Sequence, residues 1–349
     1  MTWTFFALGL FVWVFVQVIL HESAHLLAAR LVGFSAFAVT IGSGPLLVRG
    51  RLGNIAVRVH ALPMFGVVWT RPVLEGLRWK GALFAISGLL SDALLLAGLL
   101  YLAGHRLGPP SSWDSLFAGL AFYQAVIIVA NFFPLDFTAQ GTKMANDGRQ
   151  FFSYLRGRRP AALQEHERNV IRYDPAFRLE DSWLMRCEVP MLTTMAEAQE
   201  DITGGRYTDG ADKYLGVIGQ PDIHPGEKAM LLDRIACMVL YHDVKVLLRA
   251  AEGWAREACE LVPRSITLRG TLGAVLVERG SYTEGLMLLT PLTGAGNASV
   301  DRTLSACYSA KALHQLGRTA EAQEHLRTAR QGGEFPAIRE RIEAELGAA

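Results

Sequence analysis

The residues best suited to chemistry stand together in His21-Glu22-Ser23-Ala24-His25. On a helix, positions i and i+4 share a face, so both imidazoles can reach one ion. Zinc suits two His ligands and a carboxylate, with water in the fourth place. Glu22 projects beside that face and can take a proton from the water, whose pKa the metal lowers towards ~7. Three ionisable residues in five positions near the end of an apolar run are costly unless they are used. The competing reading is a polar helix end at a membrane surface. The other histidines (His60, His105, His166, His224, His242, His314, His325) are scattered and read as surface or core residues. Cys187, Cys237, Cys259 and Cys307 form no C-x-x-C pair. A structural zinc ribbon is therefore unsupported, and free thiols in a reducing compartment are expected.

The elements that must position this motif are apolar. Of the 349 residues, 51% are hydrophobic, and the mean hydropathy is +0.23. The long apolar runs fall before Pro134; the chain from about Arg149 is rich in Arg, Glu and Ala. Three segments approach or exceed the ~20 residues that cross a bilayer as a helix: about 4–32, 81–103 and 115–133. The N-terminus lacks a basic n-region and a small-x-small cleavage site, so the first segment reads as retained. The first connection carries Arg49, Arg51, Arg58, Arg71, Arg78 and Lys80, and the second only Arg106. Lys143, Arg149, Arg156, Arg158 and Arg159 follow the third span. Basic residues favour the cytosolic side, which puts the first connection and the C-terminal part there and the loop around Pro110 outside. Counted from Thr4, the motif lies about 26–32 Å along its helix, close to the cytosolic boundary.

Within the first connection, Ile55, Val57 and Val59 alternate with Arg58 and His60, after Gly50 and Gly53. That pattern predicts a hairpin with a first strand near 45–48. The edge of a sheet over 45–61 could take an unwinding substrate as an added strand. Proline at Val57 is then expected to impair cleavage without removing metal.

A third ligand must come from elsewhere. Asn131-Phe132-Phe133-Pro134 ends the third segment, and Asp147-Gly148 follows. In these features the chain resembles the site-2 protease family of intramembrane metalloproteases, which has H-E-x-x-H in one span and Asn-x-x-Pro followed by Asp-Gly at a later one. Ile41-Gly42-Ser43-Gly44-Pro45 looks like the family's Gly-x-Gly-Pro strand. Ala61-Leu62-Pro63-Met64-Phe65-Gly66 looks like its Pro-x-Gly-Gly stretch, and Ser87-Gly88-Leu89-Leu90-Ser91-Asp92 its Gly-Pro-x-x-Asn helix. The resemblance covers roughly residues 1–150. It implies Zn2+ held by His21, His25 and Asp147, Glu22 as base, Asn131 and Pro134 as substrate-binding, and a membrane-anchored protein as substrate. The competing role for Asn131 is a helix cap before the proline. Two departures stand out. The family's aspartate follows the proline by about five residues; here that position is Ala139, and Asp147 lies thirteen on. Either 137–145 is an inserted loop or Asp136 is the ligand. Asp92 replaces the family's Asn, as a functional group near the site or as a carboxyl bonded between helices.

In the C-terminal part, Gly205-Arg206-Tyr207-Thr208-Asp209-Gly210-Ala211 matches Gly280-Ser281-Tyr282-Thr283-Glu284-Gly285-Leu286, and Gly317-Arg318-Thr319-Ala320-Glu321-Ala322 is a looser copy. The offsets of 75 and 37 resemble the tetratricopeptide repeat, with a degenerate unit expected over 241–261. Such solenoids offer a concave surface for proteins or peptides; the alternative is a generic helical domain. The run 156–159 reads as an anchor to anionic lipid.

The expected architecture is mostly α. Residues 1–150 form a three-helix transmembrane metalloprotease core with a small membrane-associated β-hairpin. Residues 151–349 form a cytosolic tetratricopeptide-like domain. The protein would be a multi-pass protein of the cell (inner) membrane, its partners the bilayer, a membrane-anchored substrate and a protein held by the repeats. The net charge of +1 gives no argument for nucleic acid. The expected function is an intramembrane zinc endopeptidase. Two alternatives are an inactive membrane scaffold that keeps the metal site, and a zinc hydrolase acting on a non-peptide substrate.

Overall fold

Thirty residues, Trp3–Val32, form a single helix, α1. It is apolar on every side rather than along one stripe, the composition of a helix with no water-facing side. Leu77–Gly104 forms α2, equally apolar. In the computed structural model, which describes residues 3–104, 112–139 and 142–347, these two helices are long and apolar enough to cross a membrane. The helix α3 (Ser112–Phe132) carries a shorter apolar run, Leu116–Phe132. The loop around Pro110 lies outside the described residues. Large side chains on these helices have no protein cover: Leu31 is 79%, Leu94 76% and Phe122 74% exposed. An apolar face this extensive marks a membrane or protein contact rather than water.

By its internal packing the chain divides into two units, residues 1–164 with 187–196, and 165–186 with 197–349. In the first, α1 packs on the other helices through Phe6, Leu10 and Trp13 against Leu99, Leu116 and Leu120. Val18 meets Val39, Ile41 and Ile55 of the intervening sheet.

That sheet is larger than a short hairpin over 45–61. It is built from two long strands, β1 (Ser35–Leu52) and β2 (Ile55–Arg71), each of which bends and pairs twice. Leu52 pairs with Ile55 and Gly50 with Val57 in the tight hairpin. Val39 pairs with Val57 on one side and Val68 on the other. The lateral order is therefore 48–52, 55–60, 35–41, 66–71. Val57 is an interior residue with a neighbour on each side, so proline there removes an N–H from inside the sheet and is no probe of an edge. The outer strands are 48–52 and 66–71. Residues 187–196 fasten onto this sheet: Thr193 Oγ1 donates to the carbonyls of Phe37 and Asn54, and Arg71 to that of Cys187.

Residues 137–145, read from sequence as a loop, are part of a second hairpin, β3 (Asp136–Ala139) with β4 (Thr142–Ala145). Strands of four residues are too short to show an alternation in sequence. Helix α4 (Asp147–Leu155) follows at once, and its Tyr154 packs on Ala82 and Ala85 of α2.

The second unit is helical. Helices α5 (Ala161–Ile171) and α6 (Trp183–Arg186) precede a series of helix pairs. These are α7 (Val189–Thr203, from residue 197 onward) with α8 (Tyr207–Ile218), and α9 (Pro225–Tyr241) with α10 (Leu248–Leu261). Next come α11 (Ile266–Glu278) with α12 (Tyr282–Leu289), then α13 (Ser299–Gln315) with α14 (Thr319–Gly332). α15 (Pro336–Gly347) closes the chain. The three matched segments occupy one structural position. Gly205, Gly280 and Gly317 have φ of 78°, 86° and 76°. At each, the glycine N–H bonds the carbonyl three residues back and the next N–H the carbonyl five back from itself. This double bond closes a helix in the Schellman manner and needs a left-handed residue. The pair α9–α10 has Asp243 (φ 54°) in its turn in place of a glycine. Its first helix lies mostly before the expected 241–261.

Candidate metal centre

The face shared by positions 21 and 25 of α1 turns inward. His21, Glu22 and His25 are 7%, 4% and 4% exposed. Their chain neighbours Leu20 and Leu27 stay on the apolar outside, at 40% and 60%. Asp147, the first residue of α4, reaches the same point. His21 Nε2 lies 2.8 Å and His25 Nε2 3.4 Å from Asp147 Oδ2, and the two Nε2 atoms are 3.3 Å apart. The three donor atoms all lie within 4.8 Å of one another.

Each imidazole is fixed from behind. His25 Nδ1 donates to the carbonyl of Phe84, 2.9 Å away, which can only accept. His21 Nδ1 donates to Asp92 Oδ2, also at 2.9 Å. Both Nε2 atoms are thereby turned to the centre. Gly88 of α2 lies against the two rings: a Cβ there would come within 2.5 Å of His21 Nε2 and His25 Nε2. Gly66 of β2 lies equally close to the Glu22 side chain.

The spacing after Pro134 is resolved by the second hairpin. Asn146 N–H donates to the Leu135 carbonyl and Leu135 N–H to Asn146 Oδ1, both at 3.1 Å. Asn146 Nδ2 donates to the carbonyls of Ala130 and Phe133, and its Oδ1 caps α4 at Arg149 N–H. The β3–β4 excursion is thus closed at its base, and Asp147 emerges next to the end of α3. A Cβ on Gly148 would collide with the Phe132 carbonyl, so the Asp-Gly pair requires glycine there. Asp136 is turned elsewhere, with Oδ2 2.7 Å from Arg149 Nη1.

These side chains face a cavity of about 190 Å³. Asn131 lines it, with Gln17, Tyr123, Asn146 and Gln150, and the 63–68 run of β2 forms one wall. Pro134, just past α3, is exposed and does not line it. Among the described lining residues there is no Lys or Arg. Burial raises the Asp147 carboxyl, but the imidazoles of His25 and His21 outweigh it and hold Asp147 well below the ordinary carboxylate range. Glu22, Asp92 and Asp147 place three acids in one buried region, an arrangement that a bound cation would stabilise. The donor set of two imidazoles and a carboxylate suits zinc. Ligand atoms of a tetrahedral zinc stand about 3.3–3.4 Å apart at the usual bond lengths. Two of the three separations already match, and the third is a hydrogen-bond distance.

Comparison with known proteins agrees with this chemistry. A protein of Chlamydia trachomatis serovar D, provisionally named a zinc metalloprotease, is 30% identical over 124 residues; the match covers 28% of this chain and 20% of that protein. A second, from Chlamydia pneumoniae and provisionally named likewise, is 28% identical over 116 residues, covering 26% of this chain and 19% of its own. The chain thus spans about a fifth of the length of these relatives. No family profile matches the chain.

Sequence reasoning passed over Gln124 and Asn146. Gln124 carried a signal, an amide inside an apolar run, as did Gln17 one turn before His21. Asn146 could have been found only as the residue before Asp-Gly.

Proposed function

We propose that the chain is an intramembrane zinc endopeptidase that cleaves membrane-anchored proteins. The observation that carries this reading is the convergence of His21, His25 and Asp147 beside Glu22, in a cavity between helices whose outer faces are apolar and uncovered. His21, His25 and Asp147 hold the metal. Bound zinc supplies Lewis acidity, polarising a carbonyl and making water acidic enough to ionise near neutral pH. Glu22 takes the proton from the attacking water and returns it to the peptide nitrogen as the C–N bond breaks. One carboxylate product and one amine product result. Asn131 and Pro134, at the end of α3, handle the unwound substrate.

Substrate helices hide their peptide bonds in internal hydrogen bonds. The outer strand 66–71 adjoins the cavity wall and offers such a segment a strand partner. α1, α2 and α3 form the spanning core in a multi-pass arrangement in the cell (inner) membrane. The basic first connection and the C-terminal unit lie in the cytosol. The glycine-closed helix pairs form a tetratricopeptide-like solenoid that binds a protein or peptide partner.

Glu22→Gln tests the activity. The variant is expected to retain zinc and its fold while a membrane-anchored substrate accumulates uncut in cells expressing it. Processing equal to wild type would overturn the peptidase reading, leaving a scaffold or a hydrolase of other substrates.

A further inference from the structure

Asp92 is 0% exposed, in the middle of α2, yet it is a carboxylate. An unpaired charge at such depth would be severely destabilising. Its partners account for it. Gln17 Nε2 of α1 donates to Oδ1 at 2.9 Å, Gln124 Nε2 of α3 donates to Oδ1 at 3.0 Å, and His21 Nδ1 donates to Oδ2 at 2.9 Å. Gln124, also 0% exposed, has its own orientation set: Trp13 Nε1 donates to Gln124 Oε1 at 3.2 Å. An indole N–H can only donate, so the Gln124 oxygen faces Trp13 and its amide nitrogen faces Asp92.

The direction of these bonds decides what the network does. The two glutamine amides can only donate through Nε2, and with Nε2 of His21 given to the metal its hydrogen stands on Nδ1, so Asp92 accepts from all three. A carboxylate in that place locks the imidazole tautomer and orientation and makes Nε2 a stronger donor to a metal. His25 Nδ1 has only neutral groups behind it, the Phe84 carbonyl and Ser87 Oγ at 3.1 Å. The two His ligands are therefore unequal, and α3, which supplies no ligand itself, reaches the centre through Gln124.

We propose that Asp92, braced by Gln17 and Gln124, is a positioning residue that sets the metal affinity of His21. This rests on the metal-centre reading above. It assigns the departure from the Asn of the resembling family to tuning of the site.

The test uses the purified full-length chain in detergent. Zinc affinity is measured by chelator competition, and the cobalt-loaded protein by its absorption bands. Asp92→Asn, nearly isosteric, removes the charge and leaves an acceptor at one end only, so either His21 or the two glutamine amides lose their acceptor. It is expected to lower zinc affinity by roughly 10–100-fold and to shift the cobalt bands, with a lower melting temperature that by itself would leave the bands of the folded, cobalt-loaded protein unmoved. Gln124→Leu is expected to shift both in the same direction by a smaller factor. His25→Ala reports on the centre itself. Wild-type affinity and spectrum in Asp92→Asn, with zinc lost in His25→Ala, would overturn the positioning role alone. Zinc retained at wild-type affinity in His25→Ala would overturn the metal centre and this inference with it.

Discussion

At the scale of single residues, the centre depends on which atom each side chain presents. The Phe84 carbonyl and Asp92 place the imidazole hydrogens on Nδ1, and Gly88 leaves the room the rings occupy. His21, Glu22 and His25 could be read in sequence because one helical turn sets their relation. The third donor was less legible: the Asp-Gly pair points to Asp147, but its distance from Pro134 keeps Asp136 open until the hairpin between them is seen. Zinc analysis separates the two acids. Asp147→Ala should lose zinc by more than the 10–100-fold of an outer-shell change. Asp136→Ala, which breaks an ion pair with half-exposed Arg149, should keep it.

At the scale of elements, the sheet shows what a pattern of alternation leaves out. The alternation of Ile55, Val57 and Val59 identified a strand, but not its neighbours. Both its sides are occupied, and the edge beside the cavity is 66–71. In a strand, successive N–H groups point to opposite sides. Of Val67→Pro and Val68→Pro, one loses an N–H from the ladder with β1 and should destabilise the protein; the other loses an outward N–H. The latter should fold, keep zinc and cleave substrate at least several-fold more slowly. Full activity in a folded, zinc-loaded form of that variant would remove strand addition from the mechanism.

At the scale of the whole molecule, the two units differ in what surrounds their buried charges. In the second, Asp233 of α9 accepts a hydrogen bond from Tyr173 at 2.9 Å, while its Oδ1 has no partner among the described residues. Burial pushes its carboxyl up to about 6, against the hydrogen bonds from Thr271 and Tyr173. A carboxyl raised on folding stabilises fully below its unfolded pKa of about 3.9, and that contribution fades as pH rises through the folded value. The difference corresponds to about 3 kcal/mol. Hydrogen exchange of α9 in the full chain, corrected for intrinsic rates, should show protection falling from pH 4 to 7. Asp233→Asn should flatten that fall. A wild-type protection that rises over this range would refute the assignment.

The sequence by itself determined the local features: an H-E-x-x-H pair on one helix face, the apolar runs, and a glycine recurring between paired helices. Each is set by backbone periodicity or by the φ of one residue, over distances of a few positions. Only the tertiary structure decided the rest. It brought Asp147 rather than Asp136 to the imidazoles, because Asn146 and Leu135 close the hairpin between Pro134 and Asp147. It placed Val57 inside the sheet and 66–71 at its edge, because both strands bend and pair twice. It joined Asp92, which the sequence left between a group near the site and a carboxyl bonded between helices, to His21 across 71 residues by packing α2 on α1.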